Sequence, residues 1–190
     1  MHQVKDLSNQ ISLKKYPRAS SDIVALMVLE HQCQAHNLLT AASLNYRRAH
    51  YLGLVIDPSG DPDQGTAGRV ADLAAEKIVK WFLYQGEADQ GVNGVEGDPE
   101  FQERFQALVP KTADGKSLAD FELNGRLFKY RCSYMIYSEA FCQLPEPVKR
   151  RVIAGLKQVF NSPTTDDDYP DMKISERRKT ALILNETGIL

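Results

Sequence analysis

The chain has few of the features that would tie it to a known chemistry. Its three cysteines, Cys33, Cys132 and Cys142, form no C-x-x-C pair, no C-x-x-C-H haem-attachment site and no zinc spacing. The chain therefore attaches no c-type haem by itself, and the odd number of thiols leaves room for one disulfide without choosing its pair. No apolar run approaches the roughly 20 residues that a membrane-spanning helix needs. Neither sign of charge dominates: 23 Lys and Arg against 25 Asp and Glu leave a net charge of −2, which argues against a nucleic-acid binder, normally distinctly basic. There is no G-x-S-x-G, phosphate loop, dinucleotide glycine fingerprint or H-E-x-x-H, so the common hydrolases, NTPases and dehydrogenases have no support. The start of the chain, with Met1, His2, Lys5 and Asp6 ahead of any apolar stretch, lacks a signal-peptide pattern. It reads as a cytoplasmic protein or as the trimmed domain of something longer.

What is present is the composition of a globular domain. The 190 residues are 43% hydrophobic and 25% charged, enough to bury a core and too apolar for a disordered chain. The charge is segregated along the chain: residues 1–56 and 123–190 each sum to +3, whereas residues 57–122 sum to −8. Solvated loops rich in Asp and Glu account for this, and so does a polarised surface that orients a partner.

Residues 1–19 are polar, contain Pro17 and read as an arm or linker, which leaves 20–190 as one helical domain. Ser20, Ser21 or Asp22 is placed to cap a first helix that runs without Pro or Gly from Ile23 to about Tyr51. Turn formers crowd residues 57–65. A second helix is expected from about Thr66 to Tyr84, with Val70, Leu73, Ala74, Ile78, Trp81 and Phe82 on one face and Lys77 at its edge. An acidic loop over 86–98 leads to a short helix carrying Phe101, Phe105 and Leu108, stopped by Pro110. Residues 117–141 read as two helical pieces divided near Asn124-Gly125. Beyond Leu144-Pro145, Val148, Val152, Leu156 and Val159 repeat at the spacing of a helix face. A second acidic loop spans 163–170, and a last helix runs from Ser175-Glu176 through Leu184 and is closed by Gly188. With no alternating strand pattern and no repeat, the expected fold is all-α: a single-domain irregular helical bundle of five to seven helices, with 22–51 and 126–142 at its centre.

Two places carry candidate chemistry. On the first helix, steps of 100° put His31 in the middle of the face made by Val24, Met27, Val28, Ala35, Leu38 and Ala42, with Glu30, Gln34 and Asn37 along its margin. A buried imidazole needs partners for its nitrogens, supplied by a core hydrogen-bond network or by a metal or haem iron. With Glu30 beside it, His31 is the candidate metal ligand. His36 lies about 140° round the helix and cannot chelate the same ion. The second place is the stripe Leu127, Tyr130, Tyr134, Tyr137 and Phe141, read as a core helix whose hydroxyls bond Glu30 or His31, or as the wall of a planar cofactor site. The runs Arg47-Arg48, Lys149-Arg150-Arg151 and Arg177-Arg178-Lys179 are expected to be solvated, and neither acidic loop has the spacing of an evolved calcium site.

Three stretches carry a resemblance: Ser21 to Gln32 (SDIVALMVLEHQ) continuing to His36-Asn37, Gly125 to Tyr130 (GRLFKY), and Cys132 to Ser138 (CSYMIYS) with Phe141 and Leu144-Pro145. They resemble the C-terminal helical region of a family of uncharacterised bacterial proteins whose longer members look like secreted or periplasmic c-type cytochrome proteins. The resemblance spans most of residues 20–187. It implies a periplasmic or secreted helical module, not itself catalytic, working beside a cytochrome c protein or domain. Should a haem portion pack on it, the resemblance makes His31, Met27 or Met135 the candidate axial ligands, imidazole and thioether being the usual choices. The alternative is a haem- or metal-binding redox enzyme built around His31, Glu30 and the tyrosines. The chain departs from the longer members in having neither the haem-attachment motif nor an export signal.

Overall fold

A computed structural model describes residues 21–88, 94–162 and 172–190, together with Ser12 and Lys14. The expected arm over 1–19 lies almost wholly outside the described residues, as do part of the acidic loop 86–98 and the loop 163–170. Among the described residues there are six α-helices and no strand: α1 (Ile23–Ile56), α2 (Thr66–Phe82), α3 (Pro99–Ala107), α4 (Glu139–Cys142), α5 (Glu146–Asn161) and α6 (Ile174–Glu186). The all-α expectation is met in a single body. No helix among the described residues is long and apolar enough to cross a membrane.

Helix α1 is the spine. Its 34 residues reach about 50 Å at 1.5 Å each. Asp22 caps it, one carboxylate oxygen accepting from the amides of Val24 (2.8 Å) and Ala25 (3.0 Å) while the other accepts from the Asp98 amide at the start of α3. The helix passes the expected end at Tyr51 and continues through Gly53, where Pro62 comes so near that an added Cβ would stand 3.1 Å from the proline Cβ. Pro62–Gln64 forms a 3-10 turn, and Tyr46 donates its hydroxyl to Asp63 at 2.6 Å, tying that turn to α1. The carboxylate and the burial of the ring push the Tyr46 phenol up to about 12.

Helix α2 runs back antiparallel to α1 and packs on both α1 and α5. Its expected face is wrong in part: the residues that go inside are Ala67, Gly68, Ala71, Ala75, Ile78, Val79 and Phe82, whereas Leu73 stays 60% exposed. Small side chains won this face because α2 is squeezed between two neighbours. A Cβ on Gly155 of α5 would lie 3.0 Å from the Val79 methyl, and one on Gly68 would lie within bonding distance of the Asp63 carbonyl oxygen. Val70, Leu73 and Ala74 instead face an open groove beside α1.

The larger correction concerns residues 108–138. No helix 126–142 exists. The chain there is irregular, with one antiparallel bridge between Phe121 and Phe128 around Leu123 (φ 58°) and Gly125 (φ 77°), a 3-10 turn at Tyr134–Tyr137 and the short α4. The backbone donors that a helix would use internally go elsewhere: Ser133 N–H to the Phe82 carbonyl (2.8 Å) and Arg131 N–H to the Thr180 hydroxyl (3.3 Å). Ser133 and Ser138 each turn a hydroxyl onto a following amide, Met135 and Phe141, so the segment breaks into capped short turns.

Helix α5 follows its pattern, with Val148, Val152, Leu156 and Val159 all buried. Helix α6 packs on it, and Gly188 at φ 77° turns the chain after α6. Of the basic runs expected in solvent, Arg47, Arg48 and Arg150 are exposed, but Arg177 is buried between α5 and α6, its Nη1 donating to the Val159 carbonyl at 3.5 Å. The cysteines are free: Cys132 buried, Cys33 and Cys142 exposed.

Because Gly68 lets α2 start against the Asp63 carbonyl, Gly68→Ala should lower stability by about 1–3 kcal/mol through overpacking. Urea unfolding followed by circular dichroism measures this, and an unchanged midpoint would mean that the contact is not made.

Candidate functional site

The chemistry-bearing residues gather where α1, the end of α2 and the irregular segment meet. His31 projects from α1 between the rings of Trp81 (centroids 4.5 Å apart, stacked), Tyr84 (5.6 Å), Phe128 (5.6 Å) and Tyr134 (5.5 Å). Its Nε2 lies 2.8 Å from Ser133 Oγ. That hydroxyl already accepts from the Met135 amide (3.2 Å). With its proton given to Nε2, it satisfies both groups and leaves the ring proton on Nδ1. Burial among the rings depresses the imidazole to about 4, so His31 is neutral at pH 7.

Tyr84 follows α2 at φ 57°, a conformation costly for a residue with a side chain and held here by its surroundings. The Arg131 guanidinium sits 5.4 Å from its ring centre, bonds its carbonyl through Nη2 (3.4 Å) and pairs with Glu87 through Nη1 (2.9 Å). The Tyr84 hydroxyl is buried with no hydrogen-bond partner among the described residues. Burial, with the nearby Cys132 thiol and Glu87, holds that phenol well above its usual range. Burial also raises the Tyr134 phenol, against a pull from Gln32, and raises the Cys132 thiol.

Of the residues singled out from sequence, His31 and Tyr134 are brought together. Met27 stands one turn before His31, half-buried, and Met135 is buried beyond Ser133. Glu30 is exposed and accepts from Gln34 at 2.9 Å, turned away from the rings. Tyr130 is buried near Asp120 and Lys116, apart from the rings that pack on His31. The hydroxyl partner of His31 is thus Ser133, where Glu30 and the tyrosines were expected to meet. The sequence marks Trp81 only as part of the core face of α2, and nothing in it joins Trp81, Tyr84, Phe128 or Ser133 to His31, since the end of α2 and residues 128–134 lie far along the chain from α1.

The geometry limits what the cluster can do. A serine beside a histidine is the beginning of an acyl-transfer site, but Ser133 exposes none of its surface. Among the described residues no three His, Cys, Asp or Glu side chains converge as metal ligands would. Compared with known proteins, the chain matches no family model, no curated protein and no solved structure. The class defined by the fold is therefore an all-α single-domain protein with a histidine held in an aromatic cluster.

The depressed imidazole links stability to pH. Above its ordinary value of 6.5 neither the folded nor the unfolded chain protonates His31; between 6.5 and about 4 only the unfolded chain does, so stability falls as pH falls. Below about 4 both forms bind the proton and the loss, up to about 3 kcal/mol, is complete. Urea titrations at pH 7 and 4.5 on wild type and His31→Gln should show a steeper loss in wild type. Parallel losses would mean that the native imidazole is not desolvated.

Proposed function

We propose that the protein is an accessory or interaction module of a bacterial extracytoplasmic redox protein, docking a c-type cytochrome or cytochrome domain without itself being catalytic. The observation that carries the interaction part is the outward face of α1. Leu26, Leu29, Leu44, Tyr51 and Val55 are each more than half exposed. At 100° per residue they lie opposite the buried Val28, Ala35 and Ala42. Among the described residues five of the twelve exposed large apolar side chains lie on this stripe, apart from the groove-lining Leu52 and Ile56, and this concentration supports an interaction surface. A stripe one helix wide suits the small interfaces of redox encounters, below about 1,200 Å². The cytochrome and the periplasmic setting are supported by the resemblance of the 21–37, 125–130 and 132–145 stretches.

The test is an NMR titration of the isotope-labelled protein with a c-type cytochrome domain taken from a longer member of the resembling family. Shifts confined to outward α1 residues and abolished by Leu44→Glu are expected. Absence of shifts at millimolar cytochrome, or shifts elsewhere, would remove the reading.

One observation favours the second reading, a haem- or metal-binding redox enzyme around His31: the unpartnered Tyr84 hydroxyl belongs to a ring packed on the imidazole. In that reading His31, with Met27 or Met135 for a haem, holds the group. Elemental mass spectrometry for iron, copper, zinc and manganese on untagged protein decides it. About one equivalent per chain, lost in a folded His31→Ala variant, would establish the site, and a metal-free folded protein would set the metal form of it aside.

A further inference from the structure

Among the described residues the α1–α2 hairpin has a second uncovered face, separate from the outward stripe of α1. Between the two helices runs an open groove of about 1040 Å³, lined by Leu38, Leu52 and Ile56 from α1 and by Val70, Leu73 and Ala74 from α2. Ile56 is 84% exposed. Val70, Leu73 and Ala74 belong to the face that the sequence pattern of α2 marked as core. They present an apolar surface that α5, packed on the other side of α2, does not reach.

We propose that this groove is a self-association surface, on which the hairpin of a second copy of this chain packs about a two-fold axis near Asn45 to build an intermolecular four-helix bundle. The proposal stands independently of the cytochrome reading, which uses a different face.

Area and charge both point to a second copy. From residue 38 to 56 the groove is about 27 Å long, and two helices are about 20 Å wide. That footprint is roughly 540 Å² per chain, or about 1,100 Å² for the pair, just past the roughly 1,000 Å² that a specific interface needs. The charges at its two ends are opposite. Lys77 stands one turn before Trp81, at the end where Trp81 stacks on His31, whereas Asp57 and Asp61 line the other end, where Tyr46 is bonded to Asp63. Two copies packed with like ends together would set carboxylates on carboxylates. The two-fold arrangement sets each Lys77 against Asp57 and Asp61 of the partner subunit, and interfaces are selected by such complementarity.

The register agrees with the charges. Antiparallel packing centred on Asn45 brings Leu38 against the partner's Leu52 and Ala41 against the partner's Ala49, with Asn45 meeting its own copy on the axis. All of these α1 residues line the groove. A polar Asn on the axis fixes register and orientation, and Arg48, which also lines the groove, falls opposite the partner's Ala42 in this register.

Sedimentation equilibrium of the full chain from about 5 to 200 μM tests the proposal, with an expected mass of twice the 21.3 kDa of one chain. Leu73→Glu, at an exposed position, should raise the dissociation constant at least about tenfold while circular dichroism stays unchanged. Lys77→Glu should weaken association, and Asp57→Lys with Asp61→Lys added to it should restore it. In a Cys33→Ser, Cys142→Ser background, Asn45→Cys should cross-link two chains under mild oxidation. A monomer at every concentration overturns the proposal, as when residues 1–20 or an apolar small molecule fill the groove. A dimer indifferent to Leu73→Glu, or one that Asn45→Cys fails to cross-link, overturns it as well.

Discussion

Close approach of α2 to α1 on one side and α5 on the other is the contact on which the rest of the molecule depends. It is made by small residues, Ala67, Gly68, Ala71 and Ala75 on α2 and Gly155 on α5. Helices can come this near only where side chains are short, and the gain is a dense dispersion contact over their whole length. The arrangement has a cost in coverage. With its small residues turned inward, α2 must turn Val70 and Leu73 outward, and the groove beside α1 follows from that choice. Helix α1 is likewise covered on one side, and its other faces mix exposed leucines with polar side chains such as Glu30, Asn37 and Arg47.

The irregular segment closes the end of this frame. From Leu108 to Ser138 it makes little regular structure of its own, yet it delivers Phe121, Phe128 and Tyr134 into one cluster of rings with Phe105, centroids about 5 to 6 Å apart. Two of its amides are satisfied from outside, Ser133 by the Phe82 carbonyl of α2 and Arg131 by the Thr180 hydroxyl of α6, and others within the segment, Glu122 by the Leu127 carbonyl and Lys129 by that of Asp120. Ser133 is the joint. Its amide binds α2 through the Phe82 carbonyl, its hydroxyl binds α1 through His31, and it caps the turn that begins at Tyr134.

His31 is therefore a crossing point of three elements, neutral and ringed by aromatic groups. Such an environment favours a histidine that keeps one hydrogen bond and stays uncharged, which serves cohesion better than proton transfer at neutral pH. Among the described residues the outward stripe of α1 and the groove both leave large apolar side chains exposed, and both follow from the same helix pair.

Much of the architecture was legible in the residues. Asp22 announces the start of α1, Pro99 and Asp98 that of α3, and the steps of Val148, Val152, Leu156 and Val159 define the inward face of α5, because caps and periodicity act within a few turns of the chain. The sequence by itself thus determined an all-α single body and His31 as the polar residue of the α1 core face. Only the tertiary structure decided which apolar face of α2 is buried, because Ala71 and Leu73 compete through the width of the gap that their neighbours leave. It also decided that residues 126–142 are not a helix: the tyrosine spacing was right for one, but Phe82, Thr180 and His31 supplied stronger partners from far along the chain. The site around His31 escaped for the same reason. Its members come from three separate regions, and a histidine's partner at a separation of 102 residues is set by packing, which local pattern does not encode.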